Sequence, residues 1–107
     1  MMFVPVDEQR FGTLRADQVS PKMGKDGAQK ITRDGVSQWV VTVLRSVPGR
    51  STKPIRITVA SPVCPDLTQG AEVAVENLVA MDYSFVNTEG ETIHGVAFFA
   101  DAVTEVR

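Results

Sequence analysis

The chain has 107 residues, 43% of them hydrophobic and 22% charged, with a formal net charge of −2. That size supports one core and excludes two, and its apolar runs are far too short to span a bilayer as a helix. A single cysteine, Cys64, excludes an internal disulfide and a cysteine-based zinc site within one chain.

In chain order, Met1 to Arg10 reads as a loosely held arm. It lacks a basic start and reaches Asp7 too early for a secretory signal, so a cytoplasmic protein is expected. The domain proper then runs over 11–107, with a first strand at about 11–19 in "FGTLRADQV". The stretch "KDGAQKITRDGVSQWVV" follows, with two Asp-Gly turn signals among Lys and Arg and the only Trp just beyond them. A second strand occupies 36–46, "VSQWVVTVLRS". Trp39, Val41 and Val43 share one face; Val36, Gln38, Val40, Thr42 and Leu44 share the other. Apolar residues on both faces place this strand inside a closed or doubly covered sheet.

The basic turn "VPGRSTKP" leads to a third strand at 54–60, with Ile55, Ile57 and Val59 inward against Arg56, Thr58 and Ala60. "PVCPDLTQG" is a loop, and Cys64 within it is most simply a buried or half-buried thiol. A fourth strand is read at 72–80, with Val73, Val75 and Val79 at even spacing, although the Ala and Glu content of "AEVAVENLVAMDYSF" leaves a helix as the alternative. "VNTEGETIHG" is a loop or hairpin turn, and a fifth strand closes the domain at 95–105. Five strands separated by turns in about 100 residues predict an all-β fold: a five-stranded antiparallel Greek-key barrel of OB type.

Three phrases carry a family resemblance. "PDLTQGAEVAVENL", "GVAFFADAV" and "TRDGVSQWVVTVL" resemble, respectively, the lead-in to the fourth strand, the closing strand and the turn into the second strand of OB-fold single-stranded-DNA-binding proteins. The resemblance spans Phe11 to Val106. The pattern is similar, more loosely, to small replication- or excision-associated proteins of actinobacterial plasmids and integrating elements. The chain departs from many OB-folds in having no room for a helix between strands three and four, because "SPVCPDLTQG" is short and Pro-rich. The resemblance implies non-catalytic binding of single-stranded nucleic acid, DNA foremost, in replication or recombination of a mobile element. Replication proteins are the implied partners, with no cofactor, and the short binding track of one small barrel makes a homodimer a further expectation.

Catalytic readings find little support. His94 is the only histidine and sits in or beside a loop, and Glu89 and Glu91 lie in a Gly-containing loop that reads as solvated. Neither "GTLRADQ" nor "GRSTKP" has phosphate-loop spacing. No metal site or enzyme activity is expected.

Binding readings fare better. Residues 1–56 hold ten Lys and Arg against five acids, whereas 57–107 hold one Arg against eight acids. The asymmetry points to a polyanion partner for the basic half, or to two halves neutralising each other across one barrel. Single-strand binding needs a cationic groove and aromatic platforms, each stacked base contributing about 1–3 kcal/mol. Lys22, Lys25, Lys30 and Arg33 lie in the loop after the first strand; Arg45, Arg50, Lys53 and Arg56 lie on or between the second and third strands. Trp39 is either core or platform, and the lysine loop either binds or is merely solvated. Phe98 and Phe99 must point to opposite faces; one is core and Phe98 is assigned to the platform set. Tyr83 and Phe85, placed after strand four near a second binding loop, stack bases or plug the barrel end. That loop, Met81 to His94, holds Asp82, Glu89 and Glu91 and no cation. The rival reading is a small β-barrel interaction or assembly module that binds no nucleic acid and docks through its opposed charges and sheet edges.

Overall fold

The β-branched alternation of the second and third predicted strands builds the centre of the molecule. The computed structural model describes residues 3–8 and 10–106. They form eight strands: β1 Phe3–Pro5, β2 Thr13–Pro21, β3 Gln38–Ser46, β4 Lys53–Ala60, β5 Glu72–Glu76, β6 Val79–Val86, β7 Thr92–Ala100 and β8 Ala102–Glu105. The sheet order is β1-β6-β7-β4-β3-β2-β5-β8. All pairings are antiparallel except β4 with β7, where Ile57 sits beside Phe98 and Val59 beside Ala100. The fold is therefore all-β as expected, but its sheet is mixed and curled into a half-barrel, with eight strands instead of five. The helix alternative for the segment after Gly70 is overturned, because β5 and β6 occupy it. No helix among the described residues is long and apolar enough to cross a membrane.

The core lies inside the curl. Val41, Val43 and Ile57 are wholly buried and Val59 nearly so, packed with Leu14, Ala16, Val73, Val75 and Val103. Burying each such Val, Leu or Ile contributes about 1.5–3 kcal/mol. β2 bends at a bulge between Ala16 and Gln18, so its first half can pair with β5 while its whole length pairs with β3.

The extra strands have a local cause. The pairings of β5 with β8 and of β6 with β7 keep one register: Glu76 faces Ala102 and, three residues on, Val79 faces Phe99. Two long predicted strands are each cut at one corner. Asn77 turns the first with φ 52°, a left-handed conformation that Asn tolerates better than most residues. Its Nδ2 donates to Asp101 Oδ2 at 2.7 Å, and Asp101 N donates to the Glu76 carbonyl at 2.9 Å, so the two breaks are clamped together. Each break shifts the alternation by one. Val73, Val75 and Leu78 are buried, and Val79 is turned to the opposite face, so the expected common face for Val73, Val75 and Val79 does not form.

The expected loose arm is partly a strand. β1 pairs with β6, Phe3 beside Met81 and Pro5 beside Val79. Val6 N then donates to the Leu78 carbonyl at 2.9 Å, and Leu78 N donates to Glu8 Oε1 at 3.0 Å. Met1, Met2 and Gln9 of that arm, and Arg107 at the other end, lie outside the described residues.

Candidate nucleic-acid interface

Strand alternation sorts the candidate residues onto two faces. Trp39 shares the inward face with Val41 and Val43 and is half-buried. Its indole N–H donates to the Ser61 carbonyl at 2.9 Å, which satisfies the polar edge of the ring where the strand ends. It does not share the face that carries Arg56. Phe98 is likewise turned to the core side, with its ring edge-on to Phe11 at 5.5 Å. Phe99, next to it, is turned to the outer face.

The outer face is built from rows that the register defines. Ser20, Val40, Thr58 and Phe99 lie side by side across β2, β3, β4 and β7. Gln18, Thr42 and Arg56 form the next row. Just past the end of β2, Lys22 donates from Nζ to Thr58 Oγ1 at 3.0 Å and rests 5.2 Å from the Phe99 ring centroid. An open cleft of about 730 Å³ lies here, bordered by Lys22, Val40, Arg56, Thr58, Tyr83 and, although its ring packs on the core side, Phe98 among others. Burial lowers the Lys22 pKa below its ordinary 10.5, and the nearby charges of Lys30 and Arg56 lower it further.

The Asp-Gly turns explain how Lys30 reaches this place. The segment between β2 and β3 folds as two short successive hairpins, bridged at Met23–Gln29 and Ile31–Ser37. Gly27 N donates to the Gly24 carbonyl at 3.1 Å, Ala28 N to Asp26 Oδ1 at 3.1 Å, and Gly35 N to the Thr32 carbonyl at 3.0 Å. Gly27 and Gly35 have φ of 80° and 86°, which only Gly adopts without strain. At the joint, Lys30 N donates to the Lys22 carbonyl at 2.7 Å, which ties the two lysines together. Lys25 and Arg33 stand on the exposed tips.

Tyr83 and Phe85 are strand residues of β6, not loop residues. They project from the outer face with ring centroids 6.2 Å apart and planes 13° from parallel. Tyr83 leans over Gly95, its partner on β7, where any side chain would collide with the ring. Phe3 on β1 extends the row, its ring edge-on to Phe99 at 5.7 Å. Glu89 and Glu91 lie on the exposed turn, where both backbone N–H groups donate to Asn87 Oδ1. His94 is an exposed residue of β7 and not of a loop. Cys64 is exposed, against the expectation of burial.

The remaining cations form a separate group. Arg45, on the inward face at the far end of β3, stacks 4.0 Å from the Phe11 ring centroid and donates from Nε to the Phe11 carbonyl at 2.5 Å. With Arg10, Arg50 and Lys53 it borders a second groove of about 820 Å³. The eight expected cations thus divide into a cleft group (Lys22, Lys30, Arg56), a far group (Arg45, Arg50, Lys53) and two on loop tips. Among the described residues one ion pair forms, Arg10 with Asp7 at 3.6 Å, and both partners are exposed. No group of three His, Cys, Asp or Glu among those residues could hold a metal ion.

Sequence reasoning missed Phe3, Thr58 and Gly95, and of the pair Phe98 and Phe99 it assigned the inward-turned one to the platform set. Only Phe99 had a usable signal: its partners in alternation, Ala97 and Gly95, are small, as residues beneath a ligand often are. Compared with models of known protein families and with curated protein sequences, the chain gives no match.

Proposed function

We propose that the protein binds single-stranded nucleic acid, DNA foremost, without catalysis, on the outer face of β3 and β4. The observation that carries this reading is the placement of Lys22 over Phe99, with Lys30 and Arg56 close by and Tyr83 and Phe85 on the same face. Cations for a phosphate chain and rings for bases therefore meet on one surface, which is what sequence-tolerant binding needs. Among the described residues no carboxylate borders the cleft, which leaves its cations available to a phosphate chain.

Topology favours an OB-type barrel as part of this reading. β2, β3 and β4 form a meander, β4 runs parallel to β7, and β2 pairs antiparallel with β5. If β5–β6 and β7–β8 are each taken as one bent strand, five strands result, and the loop between β2 and β3 and the β6–β7 arm flank the cleft, as in that fold. Work on a replicating or excising mobile element is the setting that the looser resemblance implies.

The test is a titration of a labelled, unstructured oligothymidine, followed by anisotropy. Three phosphate contacts predict a log–log salt slope of about −2. The double substitution Lys22→Met with Arg56→Ala should weaken binding and flatten that slope. No binding at low salt would remove the proposal. A second reading, an assembly module, has one observation in its favour: the β6–β7 arm exposes Phe85 (53%), Val86 (66%) and Val96 (50%). A mass that rises with concentration and no oligonucleotide retention would favour it.

A further inference from the structure

The far groove is not explained by the cleft. Its border holds Arg10, Arg45, Arg50 and Lys53 and no carboxylate, around a floor that includes Val47 and Ile55. Arg45 is fixed through its Nε and its stacking on Phe11, and among the described residues its terminal amino groups have no partner. Such a guanidinium is pre-oriented to present its fork outward, the geometry that suits a phosphate. Arg50, on the β3–β4 turn, and Lys53, the first residue of β4, are exposed, again without partners among the described residues. Arg10 is the exception, paired at 3.6 Å with exposed Asp7.

The position of the groove matters as much as its charge. The cleft lies at Val40 and Thr58 on the outer face, and the groove lies at Arg45 and Lys53, five residues along the same two strands but on their inward face. At about 3.4 Å per residue the separation along the strands is about 17 Å, and a chain joining the two sites also has to pass round the β3–β4 turn, where Arg50 is exposed. β3 and β4 contain no Asp or Glu, so these two strands set no carboxylate along that path. On the outer face the intervening residues are Thr42, Leu44 and Pro54. Two cation groups joined by a carboxylate-free strip suit one extended polyanion better than two small ones.

We propose that this groove is a second phosphate-binding site, which holds the same single strand after it leaves the outer-face cleft. The inference rests on the reading given under Proposed function and deepens it: binding gains strength with strand length in two stages. A short strand fills the cleft alone. A longer one reaches the groove and adds contacts to Arg45, Arg50 and Lys53.

The test compares the intact protein with an Arg50→Ala, Lys53→Ala double variant, using oligothymidines of about 4 and about 16 nucleotides, the span of site sizes known for one OB barrel. Both substituted side chains are exposed and outside the core, so the melting temperature should be unchanged. With the long strand, the variant should lose a salt slope of about 1.4, at 0.7 per contact. Between 50 and 200 mM salt the intact protein would then lose roughly seven times more affinity than the variant. With the short strand the two proteins should behave alike. Equal slopes at both lengths, with Lys22→Met/Arg56→Ala still weakening binding, would overturn the second site and leave the cleft standing. Failure of the intact protein to bind either strand would overturn both.

Discussion

Gly95 offers the sharpest way to test the cleft, because it acts through a single ring. A methyl built on its Cα would lie 2.7 Å from Tyr83 Cε1, and closer still to Cζ and Oη. The ring must swing away in Gly95→Ala, and it can, since Tyr83 is 37% exposed. Displacing it to a poorer rotamer costs about 0.5–1.5 kcal/mol of stability, a melting shift of a few degrees. The effect on binding should be larger. If Tyr83 stacks one base, losing that contact costs about 1–3 kcal/mol, or roughly five- to 150-fold in affinity. Anisotropy titrations on the wild type, Gly95→Ala, Tyr83→Ala and the double variant form a closed cycle. Both single variants should weaken binding by a similar factor, and the double variant should be no weaker than Tyr83→Ala. If Gly95→Ala weakens binding just as much without the tyrosine, Gly95 does not act through that ring, and the assignment of Tyr83 to the cleft wall fails.

Phe98→Ala should lower the melting temperature by more than Phe99→Ala, because Phe98 packs on the core and against Phe11, whereas Phe99→Ala should act chiefly on oligonucleotide affinity; the opposite order would reverse the face assignment. At the corner, Asn77→Ala should cost about 1.5–3 kcal/mol, combining an unfavourable left-handed backbone with a lost side-chain hydrogen bond, while Asn77→Gly should cost only the bond, about 1 kcal/mol. Urea titrations that find the two variants equally damaged would refute the backbone part of that account. The lowered Lys22 pKa destabilises the fold while the lysine is charged; the deficit is complete below its folded-state pKa and vanishes as pH rises to about 10.5, the unfolded value. Relative to Lys22→Met, the wild type should therefore gain stability on going from pH 8 to pH 11, and a flat difference would remove the burial effect.

The central strands were legible because their alternation is uninterrupted. β3 and β4 follow period two with Val41, Val43, Ile57 and Val59 inward, and the structure places them so. The Asp-Gly pairs were legible as turns for the same local reason: Gly27 and Gly35 need positive φ. Reading from sequence failed where a side chain, not a repeat, controls the backbone. Nothing in "VENLVAM" announces that Asn77 will reach Asp101, twenty-four residues on, and hold two bends together. The same long-range character hides β1, whose three residues become a strand only because β6 offers an edge. The site suffered accordingly. The loop lysines follow local turn rules, and of the eight cations expected together Lys22, Lys30 and Arg56 lie close to one another, whereas the facing of the aromatic residues depends on the unseen bends.

Those bends decide which rings meet the cations. Counting outward from buried Val103 with unbroken alternation, Phe99 would face the core and Phe98 would face out. The one-residue slip at Asp101 reverses them: Ala100 and Phe98 turn inward, and Phe99 turns out beneath the Lys22 ammonium. The matching slip at Asn77 buries Leu78 and turns Val79, Met81, Tyr83 and Phe85 to the same outer side. A single hydrogen-bonded corner thus does two things. It lets one long hairpin pair with β2 at one end and β4 at the other, and it brings the outward rings of β6 and β7 onto the face that carries Lys22 and Arg56. Fold and candidate site therefore share a determinant that touches no ligand. Variants at Asn77 or Asp101 that keep the fold but loosen the clamp should weaken binding without altering one cleft residue.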